Sequence, residues 1–258
     1  MTQLRGCLHI MKLENVESEE DACQAELDNK PHLDELFLEW SRRTRNFHHD
    51  TEVLEGLQPH KKLKKLKIRH YGGTTSPNWL RPQTLTCLSE LHIENMCKLT
   101  ELPCLPLSLM SLVLVNVGLK SLPRLWDECQ DSTNESKTQQ GGDNSSSSSI
   151  RSSSLRKLHI SGCFKLTSFL GLQTLTCLSE LRIENMRKLT ELPCLPLSLT
   201  SLVLNNVGLK SLPRLWMNAK IQPTKAKLSK VATIAAAAAA AATGVLCYVT
   251  YTFHFAPS

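Results

Sequence analysis

Residues 88–96 read Leu88-Ser89-Glu90-Leu91-His92-Ile93-Glu94-Asn95-Met96, and the geometry this stretch requires decides the fold. Leu91 and Ile93 are two residues apart, so in an extended chain they point to one face while His92 points to the other. A helix stripe needs apolar steps of three and four throughout, and the Leu91–Ile93 step breaks that rhythm. The unit L-x-x-L-x-[LI]-x-x-[MVCL] recurs at Leu109, Leu112, Leu114, Val117 and at Leu155, Leu158, Ile160, Cys163. Upstream it stands at Leu63, Leu66, Ile68, Tyr71 and at Leu33, Leu36, Leu38, and a degenerate form, Leu8, Ile10, Leu13, opens the chain.

A longer duplication contains these units. Residues 83–126 and 173–216 match over 44 positions at an offset of 90, with four differences: His92/Arg182, Cys97/Arg187, Met110/Thr200 and Val115/Asn205. Three of the four fall on positions expected to face solvent along the strands, while every core Leu is unchanged. With the second copy, eight units are present.

One such strand cannot bury its apolar side alone. Stacking eight coils at about 4.8 Å builds a parallel sheet over a continuous leucine spine. The predicted fold is therefore an α/β solenoid: a leucine-rich-repeat horseshoe with a parallel β-sheet on its concave face. Irregular loops and short helices form the convex face. Pro103, Pro106, Pro123, Pro193, Pro196 and Pro213 in the connectors exclude continuous helices. Two connectors read as helical. Ser18 caps a first turn of Glu19, Glu20 and Asp21, with Ala22, Ala25 and Leu27 following. Thr51–Glu55, after Asp50, reads as one or two turns ending at Gly56.

Composition agrees with a one-dimensional stack. The chain of 258 residues holds 45 Leu and only 5% aromatics, which excludes both an aromatic platform for nucleic acid and a disordered chain. Its net charge of +6 resides mostly in Lys220, Lys225, Lys227 and Lys230, leaving +2 for residues 1–216. The expected organisation is a repeat arm at 1–126, a disordered polar and Ser-rich insertion at 127–154, and a second arm at 155–216. A basic linker at 217–230 and an Ala-rich apolar helix at 231–250 complete it. The uncharged run Val231–Val249 has the length of a transmembrane span, but its stretch of eight consecutive Ala is near neutral, so tail anchor and plain helix both stay open. Residues 1–20 are charged throughout and carry no signal sequence; the ten Cys are dispersed, and reduced thiols used as small apolar fillers are expected.

No phosphate-binding glycine loop, zinc-protease helix or nucleophile elbow is present, so no catalytic, cofactor or metal residue is assigned. His48-His49, expected in an extended segment, would point apart. Cys97, between Cys87 and Cys104, is replaced by Arg187 in the duplicate, which a copied metal site should not tolerate. What remains is a surface. The candidate partner-binding residues of the concave face are His9, Phe37, Glu39, Lys65, Lys67, Arg69, His92, Glu94, Val115, His159, Arg182, Glu184 and Asn205.

Several stretches of the N-terminal third carry more than a generic repeat: Leu4-Arg5-Gly6, Leu13-Glu14-Asn15-Val16, Asp21-Ala22, Lys30 and Leu33 through Trp40. Val53-Leu54-Glu55-Gly56-Leu57-Gln58-Pro59-His60 and Tyr71-Gly72-Gly73 with Pro77, Trp79 and Leu80 continue the pattern. Together they resemble the leucine-rich-repeat region of plant nucleotide-binding, leucine-rich-repeat disease-resistance proteins. The resemblance implies a cytoplasmic recognition module, here expected to be a fragment without the nucleotide-binding switch domain. Its partner would be a pathogen effector, a guarded host protein or the nucleotide-binding domain of a related receptor. Neither enzymatic activity nor nucleic-acid binding is expected. A scaffold anchored in the membrane through residues 231–250 is the competing reading. An uncapped first repeat would also expose Leu4, Leu8 and Ile10.

Overall fold

In the computed structural model, residues 4–42, 47–122, 154–167, 169, 172–209 and 250–254 are described. Eight strands run in sequence order through one sheet: β1 (Gly6–Met11), β2 (Leu33–Glu39), β3 (Lys65–Arg69), β4 (Glu90–Glu94), β5 (Ser111–Val115), β6 (Lys157–Ser161), β7 (Glu180–Met186) and β8 (Ser201–Val207). Each pairs parallel with the next, and the ladder passes from β5 to β6 without a break, Ser111 opposite Lys157. The two repeat arms therefore share one sheet. The eight predicted units are the eight parallel strands.

The alternation read from the sequence sets the packing. Leu36, Leu66, Leu91, Leu112, Leu158, Leu181 and Leu202 stand opposite one another in one column. Leu38, Ile68, Ile93, Leu114, Ile160, Ile183 and Leu204 form a second, and all fourteen are buried. Each of these side chains contributes about 1.5–3 kcal/mol on removal from water, so the two columns form the continuous spine of a larger buried core. Leu8 and Ile10 extend them into β1 half-buried and packed against the core, as is Leu4. The expected exposure of these three is thus only partial; Met11 is the exposed apolar residue of β1.

At or near the ends of β3 to β8 the repeats share a detail that the formula leaves as x. His70, Asn95, Asn116, Gly162, Asn185 and Asn206 all have φ between 53° and 64°. This is the left-handed region, where Asn and Gly are the least strained residues. The turn aims each N–H at the neighbouring coil: Asn95 N donates to Val115 O at 2.8 Å, Asn116 N to Ser161 O at 2.8 Å, and Gly162 N to Glu184 O at 3.0 Å. Side chains add a second ladder, Asn116 Nδ2 to Asn95 Oδ1 at 2.8 Å and Asn206 Nδ2 to Asn185 Oδ1 at 2.9 Å. At Gly162 a Cβ would lie 2.1 Å from Asn116 Oδ1. Gly162→Ala should cost about 1–3 kcal/mol through backbone strain and this clash, measurable as a lower denaturant midpoint with unchanged slope.

The helices are α1 (Glu19–Cys23) and α2 (Phe47–Gly56). Ser18 Oγ accepts from Asp21 N at 3.1 Å, the expected cap, but α1 ends before Ala25, and Leu27 opens a separate 3₁₀ turn. α2 starts three residues before Asp50 and is twice the expected length. His48 and His49 therefore lie on a helix rather than in extended chain. They still diverge: His49 Nε2 contacts Val16 O, while His48 stands in solvent. α2 is held from beneath by the segment after β3. Trp79 Nε1 donates to Leu54 O at 2.9 Å, and Tyr71 OH donates to Thr75 O at 2.8 Å while its oxygen lies 3.2 Å from the Thr51 hydroxyl, which can donate to it. Asp50, 1% exposed, accepts from Gly72 N at 3.1 Å. Burial pushes the Asp50 carboxyl up, and the Gly72 N–H partly offsets this. The residues that carried the family resemblance are thus one packing unit.

A ninth strand, β9 (Thr250–His254), pairs antiparallel with β8, Asn205 opposite Thr250 and Ser201 opposite His254. Thr250 therefore opens a strand instead of closing a helix. The remainder of the 231–250 tract, the 217–230 linker and nearly all of the 127–154 insertion lie outside the described residues. Among the described residues no helix is long and apolar enough to cross a membrane. None of the eight described cysteines is in a disulfide, and Cys163 alone of them is fully buried, its thiol pushed up to about 11 by desolvation. Six of the others are exposed, so the filler role expected for cysteine holds only at Cys163.

Candidate functional site

On the open face of the sheet, side chains form three files. The first runs Glu35, Lys65, Glu90, Ser111, Lys157, Glu180, Ser201; the second Phe37, Lys67, His92, Val113, His159, Arg182, Val203. The third runs Glu39, Arg69, Glu94, Val115, Ser161, Glu184, Asn205, and β1 adds Cys7, His9 and Met11 to the three. All thirteen candidates lie on this face, because each occupies a position two residues from another exposed one on a strand whose alternate residues fill the core.

The face divides into two clusters. At the N-terminal end the Phe37 ring stacks on His9, centroids 3.9 Å apart and planes 8° from parallel. Lys67 Nζ lies 4.8 Å and the Arg69 guanidinium 5.3 Å from the same ring centroid. Glu39 binds His9 Nε2 at 3.0 Å and Arg69 Nη1 at 3.4 Å. Arg69 turns its Nε and Nη2 to Glu94 Oε2 at 3.0 and 2.8 Å. Lys67 stands 4.0 Å from the same oxygen. His92 Nε2 is 3.7 Å from that oxygen, buried and without a hydrogen-bond partner. Desolvation, followed by the Lys67 charge, lowers the His92 pKa, which keeps the ring neutral near pH 7. Lys65 sits apart in the first file, between Glu35 at 3.1 Å and Glu90 at 3.6 Å.

Burial works against ionisation of Glu94, but the Arg69 hydrogen bond and charge, then the Lys67 charge, outweigh it and hold the carboxyl below its ordinary value of 4.5. A carboxyl lowered on folding contributes stability that is present above the unfolded value and lost as pH falls through the folded one. Glu94→Gln should therefore cost about 1 kcal/mol at pH 7, the modest worth of a half-exposed charge-assisted pair. The difference from the parent chain should shrink as the pH is taken below 4.5 and through the lowered folded value, in urea titrations at several pH values.

The C-terminal cluster repeats the chemistry. Glu184 takes Arg182 Nη2 at 2.7 Å and His159 Nε2 at 3.3 Å, and Lys157 pairs with Glu180 at 3.2 Å. Between β5 and β8 the face sinks into a groove of about 380 Å³ lined by Ser111, Val113, Lys157, His159, Glu180, Arg182, Ser201 and Val203. Val115 and Asn205 are not brought into either cluster; Asn205 Oδ1 is buried without a partner. Of the groove residues only His159 and Arg182 were among the sequence candidates. A signal for the rest except Lys157 existed: Ser111/Ser201, Val113/Val203 and Glu90/Glu180 are exposed positions that the duplication leaves unchanged. Among the described residues no three His, Cys, Asp or Glu side chains converge as a metal cage.

A parallel sheet with one leucine-filled face and one open charged face, grown one coil at a time, defines a leucine-rich-repeat solenoid. Within that class, residues 1–120 match the family model described as R13L1/DRL21 leucine-rich repeats. The chain is 38% identical over 108 residues to the putative disease resistance protein RGA1 of Solanum bulbocastanum, which covers 40% of this chain and 11% of that protein. It is 32% identical over 125 residues to the putative disease resistance RPP13-like protein 1 of Arabidopsis thaliana, covering 36% and 12%. It is 35% identical over 111 residues to the putative disease resistance protein RGA4 of Solanum bulbocastanum, covering 40% and 11%. The resemblance to the repeat region of plant disease-resistance proteins is thus borne out. The chain spans about a tenth of the length of these relatives. No solved structure matches it.

Proposed function

We propose that the chain is a non-catalytic recognition module of the plant disease-resistance receptor type, binding a protein partner on the open face of its sheet. The observation that carries this reading is the two preassembled clusters around Glu94 and Glu184. Their cations are held in place by carboxylates on the same or neighbouring strands, so little side-chain freedom is lost on docking. Phe37, sandwiched between His9 and two cations, supplies the aromatic and arginine anchors in which binding hot spots are enriched. The partner classes are a pathogen effector, a guarded host protein or the nucleotide-binding domain of a related receptor.

Charge reversal tests it. Arg69→Glu and Arg182→Glu should each weaken a cognate protein at least tenfold, whereas reversal of Lys98, an exposed residue outside the three files, should leave binding unchanged in surface plasmon resonance. Equal affinities for all three variants would remove the open face from consideration. The membrane reading gains no comparable support. β9, which follows the 231–249 tract, is hydrogen-bonded to β8, so the chain after the tract lies on the repeat sheet. Carbonate extraction of the expressed chain distinguishes the two: recovery in the membrane pellet, abolished by deleting 231–258, would restore the anchor.

A further inference from the structure

The groove between β5 and β8 has a regular layout. Val113 on β5 and Val203 on β8 mark its two ends in the second file, with His159 on β6 and Arg182 on β7 between them. No acid stands in that file between the valines; Glu180 and Glu184 lie in the flanking ones. The Arg182 side chain is 54% exposed while its partner Glu184 is 13% exposed, so a group approaching from solvent meets the guanidinium before the carboxylate. Ser111 and Ser201 add uncharged hydroxyls beside each valine.

Spacing then limits the occupant. Three strand separations place Val113 and Val203 about 14 Å apart, and an extended polypeptide advances about 3.4 Å per residue, so four residues of such a chain bridge them. Four is even, so side chains i and i+4 project to the same face of the extended segment, as does i+2. The i+2 side chain lands above the His159–Arg182 interval, where the file is cationic.

Resting on the open-face reading above, we propose that this groove takes an extended segment of the partner protein running across the strands. The segment has the pattern apolar–x–acidic–x–apolar, with its apolar side chains over Val113 and Val203 and its carboxylate against Arg182 and His159. The two ends of the groove are alike because Val113 and Val203, with Ser111 and Ser201 beside them, are equivalent positions that the duplication leaves unchanged.

Three labelled peptides, GSGLSESLGSG, GSGLSELGSGS and GSGLSKSLGSG, titrated against the full chain by fluorescence anisotropy, test the proposal. The first should bind at least tenfold tighter than the second, whose leucines are three apart, and than the third, whose centre is basic. Val203→Lys should remove at least tenfold of the first peptide's affinity; Lys67 in the same file shows that the scaffold carries lysine there. Arg182→His, the residue that the duplicate bears at 92, should weaken it severalfold without unfolding the chain. Arg182→Glu should reverse the preference between the first and third peptides. Equal binding of the three peptides, or an unreversed preference in Arg182→Glu, overturns the proposal. If the peptides fail while charge reversals at Arg69 and Arg182 still weaken a protein partner, the segment pattern is wrong and the open face stands. If both fail, both readings fall.

Discussion

Trp79→Ala should lower the free energy of unfolding by about 3–5 kcal/mol, the cost of emptying a buried indole site. Trp79 is 3% exposed and packs beneath α2, whose Val53 and Leu54 are fully buried. Its Nε1–H also bonds Leu54 O, but that carbonyl keeps a second donor, Leu57 N at 3.3 Å, so loss of the hydrogen bond is the smaller part. Trp79→Phe separates the two contributions: it retains most of the apolar contact and should cost about 1–2 kcal/mol. Because each coil touches only its neighbours, the damage should stay local. Hydrogen exchange in Trp79→Ala should accelerate in 47–57 and 71–80 and stay unchanged in β6–β8. Uniform acceleration along the chain would show that the stack unfolds as one cooperative unit instead.

The strands were legible because their period is two and their burial one-sided; Leu91, His92 and Ile93 state both facts in three residues. The Ser18 cap was legible because its hydrogen bond is local. α2 was not legible at its start. Phe47-His48-His49-Asp50 has neither a capping side chain nor strong helix formers, and contacts from distant sequence, His49 to Val16 and Asp50 to Gly72, hold the turn. Tertiary contacts override propensity there. The left-handed asparagines were visible as Asn95, Asn116, Asn185 and Asn206 at equivalent offsets, but their meaning depends on a backbone angle that the leucine pattern does not encode. On the open face, membership of the three files followed from alternation alone. The groove did not, because it depends on which neighbours are short: Ser111, Val113, Ser201 and Val203 leave space beside Lys157 and Arg182. β9 was overshadowed by the alanine tract before it, although Thr250–His254 alternates polar and aromatic residues as an exposed strand does.

The second large effect concerns the junction of the two arms. Leu158 is 1% exposed and lies between Leu112 and Leu181 in the core column. Leu158→Ala should cost about 2–5 kcal/mol, depending on how far the adjoining coils relax into the space. The site is informative because the connection from β5 to β6 is much longer than the sixteen residues that separate β4 from β5 or the fourteen that separate β7 from β8. Loop-closure entropy grows only as the logarithm of length, so the longer connection adds about 1 kcal/mol at most to the cost of pairing β5 with β6. That is less than burial of one leucine recovers, and the ladder continues across the junction. Leu158→Ala moves this balance towards separation. Hydrogen exchange should accelerate in β5–β7 while β2 and β3 keep their protection, and peptide binding at Val113–Val203 should weaken in parallel, since the groove spans the same junction. Leu36→Ala, equally buried but six coils from β8, should match the loss of stability and leave the groove intact. A Leu158→Ala chain with unchanged exchange in β5 and β6 would mean that the arms are held together by something other than this column.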